Sequence, residues 1–274
     1  MTAHNITASN EAFESPVFGN RVKSMLKLDF YRLFHTPAFY IFLIISAIIP
    51  AMVLGMSGMD TTGAGAGNTA YAPVSSAPAP EFTNAWQLIE STGGSAASSP
   101  LDFGGYANIN MLFIFAGLLM AIFVAHDYSS GFVKNIFTVH SKKLDYVISK
   151  SAVGIFGGAG MIVAYVCGTV LAGLLTGKAF DVNMSGLVLC LISKTFLMGA
   201  FCSLFLVIAV FFRNKLWMTI VFTFLFGMMF YPAASVATLS STAITMLLAL
   251  LAGAAGAAAF GAVSSLFLKK RDLV

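Results

Sequence analysis

Charge is what this sequence most lacks. Asp, Glu, Lys and Arg make up 9% of its 274 residues, against 58% hydrophobic residues, and the mean hydropathy is +0.87. A soluble domain carries about 25% charged residues, so a water-soluble globular protein is excluded and a polytopic membrane protein is expected. The net charge of +4 does not point to nucleic acid, because the basic residues are divided among short segments between apolar runs. Cysteine is scarce. Cys167, Cys190 and Cys202 all fall in apolar runs, an odd number with none in a loop. That excludes a disulfide framework and zinc-ligand spacing, and leaves small packing residues.

Acidic residues are missing from the apolar runs. Proton- and sodium-coupled carriers usually keep intramembrane carboxylates, so that class is disfavoured. His4, His35, His126 and His140 all lie in or beside polar segments, and no H-E-x-x-H occurs. An intramembrane hydrolase would hold its base deeper, beside a nucleophile or metal. The nearest approach to a phosphate loop, GLLTGKA at 173–179, has one residue too few between its glycines and lacks the Ser/Thr. The chain is therefore expected to hydrolyse no nucleotide, with no catalytic residues, metal or cofactor of its own.

What is present is a series of apolar runs. A crossing helix needs about 20 residues, and six runs qualify: 38–57, 107–125, 151–176, 187–212, 217–235 and 243–268. The second is short and should borrow residues at its ends. The break between the last two rests on a Ser/Thr-rich stretch at 239–242. The first run begins only after a long polar segment, so it should remain as an anchor. Residues 1–19 read as a disordered cytoplasmic tail. Within 20–37, Val22, Met25, Leu26, Phe30 and Leu33 share one helical face, flanked by Arg21, Lys23, Lys27 and Arg32 and interrupted by Asp29. A basic helix of this pattern is expected in the membrane interface with its apolar side down, ended by Pro37.

The basic residues set the orientation. Six crossings put Arg21, Lys23, Lys27, Arg32, Lys134, Lys142, Lys143, Lys150, Arg213, Lys215, Lys269, Lys270 and Arg271 on one side, with Lys178 alone opposite. Both termini, including the tail 269–274, are then cytoplasmic in a multi-pass protein of a bacterial inner or plasma membrane. The external loop 58–106 is rich in Gly, Ala, Ser and Pro and cannot order itself by burial. Its middle piece, with Phe82, Trp86 and Ile89 at helical spacing, reads either as a short helix on the outer leaflet or as part of a floppy lid. Gly154/Gly158 and Gly253/Ala257/Gly261 have the four-residue spacing that lets helices approach closely in lipid.

Lys194 is the one charged residue inside a run. It reads as a positive group on a translocation path. Equally, its long stem could snorkel to the outer headgroups from seven residues inside the run.

The polar interruption at 126–150, HDYSSGFVKNIFTVHSKKLDYVISK, is too long for a turn. Here the chain resembles the type-2 ABC transporter permeases. Three features carry the likeness: the basic helix KLDFYRLFHTP at 27–37, like the family's connecting helix; Asp127, Gly131 and Lys134 closing the second run; and Lys142, Lys143 and Lys150 leading into the third. The family usually has Glu at the first of the closing positions and Arg in the cluster. The resemblance implies an all-α membrane protein of six transmembrane helices preceded by an interfacial connecting helix, a type V exporter-like fold. It also implies a permease dimerised with a second copy or a paralogue, driven by cytoplasmic ATP-binding cassette subunits that hold ATP and Mg. The loop 126–150 would be the coupling loop, with a coupling helix near 131–140 and Asp127, Gly131, Lys134, Lys142 and Lys143 as motor-coupling residues. An exported amphipathic cargo (peptide, antibiotic or lipid-like) would suit the surfaces of Phe115, Phe123, Phe196, Phe201, Phe205, Phe222, Phe224 and Phe226, which serve equally as lipid-facing bulk. A non-transporting scaffold or sensor is the other class open to the sequence.

Overall fold

In the computed structural model the described residues are 18–59, 84–90, 109–139, 143–212, 215–234 and 236–270. The tail 1–17, most of the loop 58–106, Lys142 and 271–274 lie outside them. The described chain is helical. In order it forms α1 (Phe18–Phe34), α2 (Pro37–Met59), a single turn α3 (Gln87–Glu90), α4 (Met111–Ser129), α5 (Phe132–Val139), α6 (Lys143–Thr176), α7 (Met184–Phe212), α8 (Leu216–Ala234) and α9 (Ala243–Lys270).

Among the described residues five helices are long and apolar enough to cross a membrane: α2, α4, α6, α7 and α9. In α8 the stretch Leu216–Phe230 is a shorter apolar helix. The six-crossing expectation therefore stands on length and composition for five. Helix α4 runs four residues beyond the expected 125, and α6 begins at Lys143 instead of 151. Most of the segment read as a loop is thus helix. At 1.5 Å per residue, the 34 residues of α6 span about 51 Å, well beyond a hydrocarbon core of ~30 Å. Carboxylates consequently do lie within two of the long helices, Asp127 near the end of α4 and Asp145 in the first turn of α6.

Helices α4 and α7 form the centre: 67% and 61% of their apolar windows are buried, against 28% for α2 and 17% for α9. The outer helices therefore turn broad apolar faces outward, including Ile44, Ile48, Leu247, Leu248 and Leu251. Close approach depends on glycine at a few places. A Cβ on Gly253 of α9 would fall 2.5 Å from the Phe196 carbonyl carbon of α7, and one on Gly168 of α6 would strike the Ala47 backbone of α2. Gly154 and Gly158 face Met120 and Met198, so they mark the seam of α6 with α4 and α7. Of the phenylalanines read as greasy surface, Phe123, Phe201 and Phe205 are core, while Phe196 and Phe224 face outward.

The phosphate-loop look-alike is the end of a helix. Gly177 has φ +65° and the Lys178 N–H donates to the Gly173 carbonyl at 3.0 Å, the six-to-one bond of a glycine-terminated helix. The described part of the 58–106 segment, 84–90, packs on protein. Ala85, Trp86, Leu88 and Ile89 are buried, and the Ala85 N–H donates to the Ala179 carbonyl at 3.0 Å. Trp86 meets Phe180 edge-on.

Candidate coupling site

Helix α1 starts the site. Met25, Asp29 and Leu33 are its buried positions, one stripe at helical spacing. The apolar face expected to lie on lipid is instead covered by protein, chiefly α6. Leu28 and Tyr31 form a separate, exposed apolar face. A carboxylate in the middle of a buried stripe requires partners, because an isolated buried charge is strongly disfavoured. Asp29 has two, both on α6: the Lys150 ammonium donates to Oδ1 at 2.7 Å and the Ser149 hydroxyl to Oδ2 at 2.6 Å.

Lys150 is fully buried and bridges onward. Its Nζ lies 2.6 Å from Asp127 Oδ2, near the end of α4. Asp127 also accepts the Tyr146 hydroxyl at 3.0 Å and pairs with Arg32 of α1 at 2.6 Å. Two carboxylates and two cations thus close a neutral cluster that binds α1, α4 and α6 to one another. Aromatic faces enclose it, with Lys150 Nζ 4.0 Å from the Phe123 ring centre and the Arg32 guanidinium 4.0 Å from that of Phe132, the first residue of α5. Such contacts add to the ion pairs where water is excluded. A second pair, Arg21 to Asp145 at 3.2 Å, ties the start of α1 to the start of α6.

The cluster explains why α4 outruns its apolar sequence. Asp127 is matched by Lys150 and Arg32, so the helix continues through it to Ser129. Gly131 then turns the chain with φ +72°, a left-handed conformation that side-chain-bearing residues resist. Its carbonyl accepts from the Asn135 N–H at 3.2 Å, which opens α5. Val133 of α5 is buried inward, while Lys134 and Asn135 are exposed on the other side.

The site residues read from the sequence therefore part company. Asp127 is sealed inside the cluster, Gly131 forms the turn and Lys134 is free on the surface of α5. Lys143 donates to the Leu268 carbonyl of α9 at 2.6 Å, which places it against the last turns of the bundle. Lys142 lies outside the described residues. Lys194 is remote from all of these and fully buried, so snorkelling to headgroups does not describe it. Sequence reasoning missed Asp29, Arg32, Tyr146 and the central role of Lys150. The available signal was Asp29 itself, a charge on a face otherwise built for burial.

Among the described residues no group of three His, Cys, Asp or Glu could hold a metal ion. Cys190 and Cys202 are free and buried, and Cys167 is free and exposed. No curated protein and no solved structure matches the chain. A family model described as ABC-2 family transporter protein matches residues 25–230, from α1 through most of α8. The match takes in the whole charged cluster, the Gly131 turn and α5, and it covers well over half of the sequence: the chain belongs to the ABC-2 family of transporter permeases.

Proposed function

We propose that this permease is the membrane-spanning subunit of an ATP-driven exporter of amphipathic molecules, such as peptides, antibiotics or lipid-like compounds. ATP and Mg reside on separate cytoplasmic ATP-binding subunits, and a second permease copy or a paralogue completes the membrane domain. Helix α8 is the sixth crossing, which keeps both termini on the cytoplasmic side with the basic residues. The exposed face of α1, with Leu28 and Tyr31, rests in the headgroup region of the bilayer.

The observation that carries this reading is the ion cluster behind α5. Helix α5 is the coupling helix, presenting Lys134 to the ATP-binding subunit, and Lys142 and Lys143 follow it in the sequence as further coupling residues. A push on α5 passes through the short Gly131 turn to α4. Because Asp127 is clamped to Arg32 and Lys150, α1 and α6 move with α4 as one body. The motor's closure is thereby converted into a tilt of three helices.

Purification from native membranes tests the assignment. An ATP-binding subunit should accompany the chain, ATPase activity should be found in the complex, and the chain alone should show none. Hydrolysis by the clean chain alone, or repeated isolation without any ATP-binding partner, would leave a non-transporting scaffold as the better description.

A further inference from the structure

Helix α5 is joined to α4 by the Gly131 turn, and a turn alone makes a weak lever. Beyond its chain neighbours, no described residue comes within 4 Å of a Cβ built on Gly131. A helix of eight residues held only at such a point has a fixed start and a free direction. A push on it would be absorbed by pivoting.

The inner face of α5 supplies what the turn lacks. Phe132, Val133, Ile136 and Phe137 fall within one broad side of the helix. Val133 is buried, and Ile136 and Phe137 pack on the core. Lys134 and Asn135 are exposed on the other side. The two phenylalanines end this face, and both reach the charged cluster. The Phe132 ring centre is 4.0 Å from the Arg32 guanidinium of α1 and 5.7 Å from the Lys150 ammonium of α6. Both distances lie within the reach of a cation held over an aromatic face. Phe137 meets Tyr146 of α6 edge-on, with ring centres 5.7 Å apart. The Tyr146 hydroxyl in turn donates to Asp127 Oδ2 at 3.0 Å, the oxygen that also pairs with Lys150. One contact at each end of the inner face fixes the direction of α5, where the turn fixes only its start.

We propose that Phe132 and Phe137 are positioning residues that pass the movement of α5 straight to α1 and α6, a proposal that rests on the permease reading for the source of that movement. Phe132 acts on Arg32 and Lys150 through the face of its ring, and Phe137 acts on Asp127 through Tyr146. The backbone route through Gly131 to α4 is then one of two, and the aromatic route keeps α5 from pivoting.

The test uses the full-length chain with its ATP-binding subunit in phosphatidylcholine nanodiscs. Spin labels are placed through Leu171→Cys on α6 and Leu248→Cys on α9, both outward-facing positions, with the exposed native thiol removed by Cys167→Ala. Pulsed electron paramagnetic resonance reads the distance between them with and without ATP. ATP should shift that distance in the otherwise unchanged chain. Phe132→Leu and Phe137→Leu should each lose most of the shift and still retain the ATP-binding subunit, because the Lys134 side of α5 is untouched. Phe132→Trp and Phe137→Tyr, which keep a ring, should retain the shift. If Phe132→Leu does not fold, Phe137→Leu against Phe137→Tyr makes the same comparison. The proposal is overturned if the Leu variants shift as the parent does, since the turn alone would then suffice. It is also overturned if Trp and Tyr lose the shift as fully as Leu, since packing and not the ring would then be at work. Purification without any ATP-binding subunit defeats the permease reading and this route with it, whereas a bound subunit whose ATP moves the labels regardless of Phe132 and Phe137 defeats this route alone.

Discussion

Replacing Lys150 with Met removes the ammonium that touches both carboxylates of the cluster, Asp29 and Asp127. Met keeps the unbranched stem, so packing around Phe123 and Tyr146 changes little, while Asp29 is left with a single neutral donor, Ser149. Asp127 retains Arg32 and Tyr146. Breaking a buried pair by deleting one partner costs about 3–5 kcal/mol, because the remaining charge is stranded. The loss should fall in that range for Lys150→Met, read as equilibrium unfolding in mixed micelles of a neutral detergent and dodecyl sulfate. Adding Asp29→Asn removes the stranded charge. The double variant should then recover about 1–3 kcal/mol relative to the sum of the single changes, the coupling expected of groups in direct contact. Lys23→Ala, on the exposed side of α1, serves as control and should stay within about 0.5 kcal/mol of wild type. A Lys150→Met loss below about 1 kcal/mol, or strict additivity with Asp29→Asn, would refute the view that the cluster clamps α1 to α4 and α6.

Two further outcomes follow from backbone geometry. Apart from its chain neighbours, no described residue comes within 4 Å of a Cβ built on Gly131, so its requirement is the positive φ. Gly131→Val should uncouple ATP hydrolysis from transport in the assembled transporter. Gly131→Asn, which tolerates that conformation, should retain most of the coupling; equal loss in both would move the cause elsewhere. Gly253→Val drives a side chain into the Phe196–Leu197 backbone, and should cost about 1–3 kcal/mol or more as overpacking. Gly160→Ala, whose Cβ would meet Leu43 at an ordinary 3.6 Å, should be nearly neutral by thermal unfolding in detergent.

The long apolar runs were legible because lipid demands length and apolarity, and five of the resulting helices meet that demand. Their ends were not legible. Hydropathy stops α4 before His126 and starts α6 after Lys150, whereas the helices run to Ser129 and from Lys143. The reason is pairing: Asp127 and Lys150 look like polar boundaries in isolation and become interior residues once they meet. Asp29 gave the same information from the other side, as a charge on an apolar face, but its partner stands more than a hundred residues away and no local pattern names it. The amphipathic stripe of α1 was found correctly, yet periodicity cannot say whether such a stripe meets lipid or another helix; here α6 covers it. Gly131 was singled out for a sharp turn and has the positive φ that such a turn uses. Lys194 was visible as the lone charge in a run. Sequence left open whether its long stem turned outward or inward, and the acceptors on Asn110 and Ala234 turn it inward.

The most direct test of coupling through α5 places a photoactivated cross-linking residue at position 134 and, for comparison, at the outward-facing position 171 of α6. Illumination in native membranes should join the position-134 variant to an ATP-binding subunit, with a yield that changes when ATP is bound, and should leave the position-171 variant without that product. Absence of the product at position 134 in membranes that contain the subunit, or equal capture at both positions, would contradict the account.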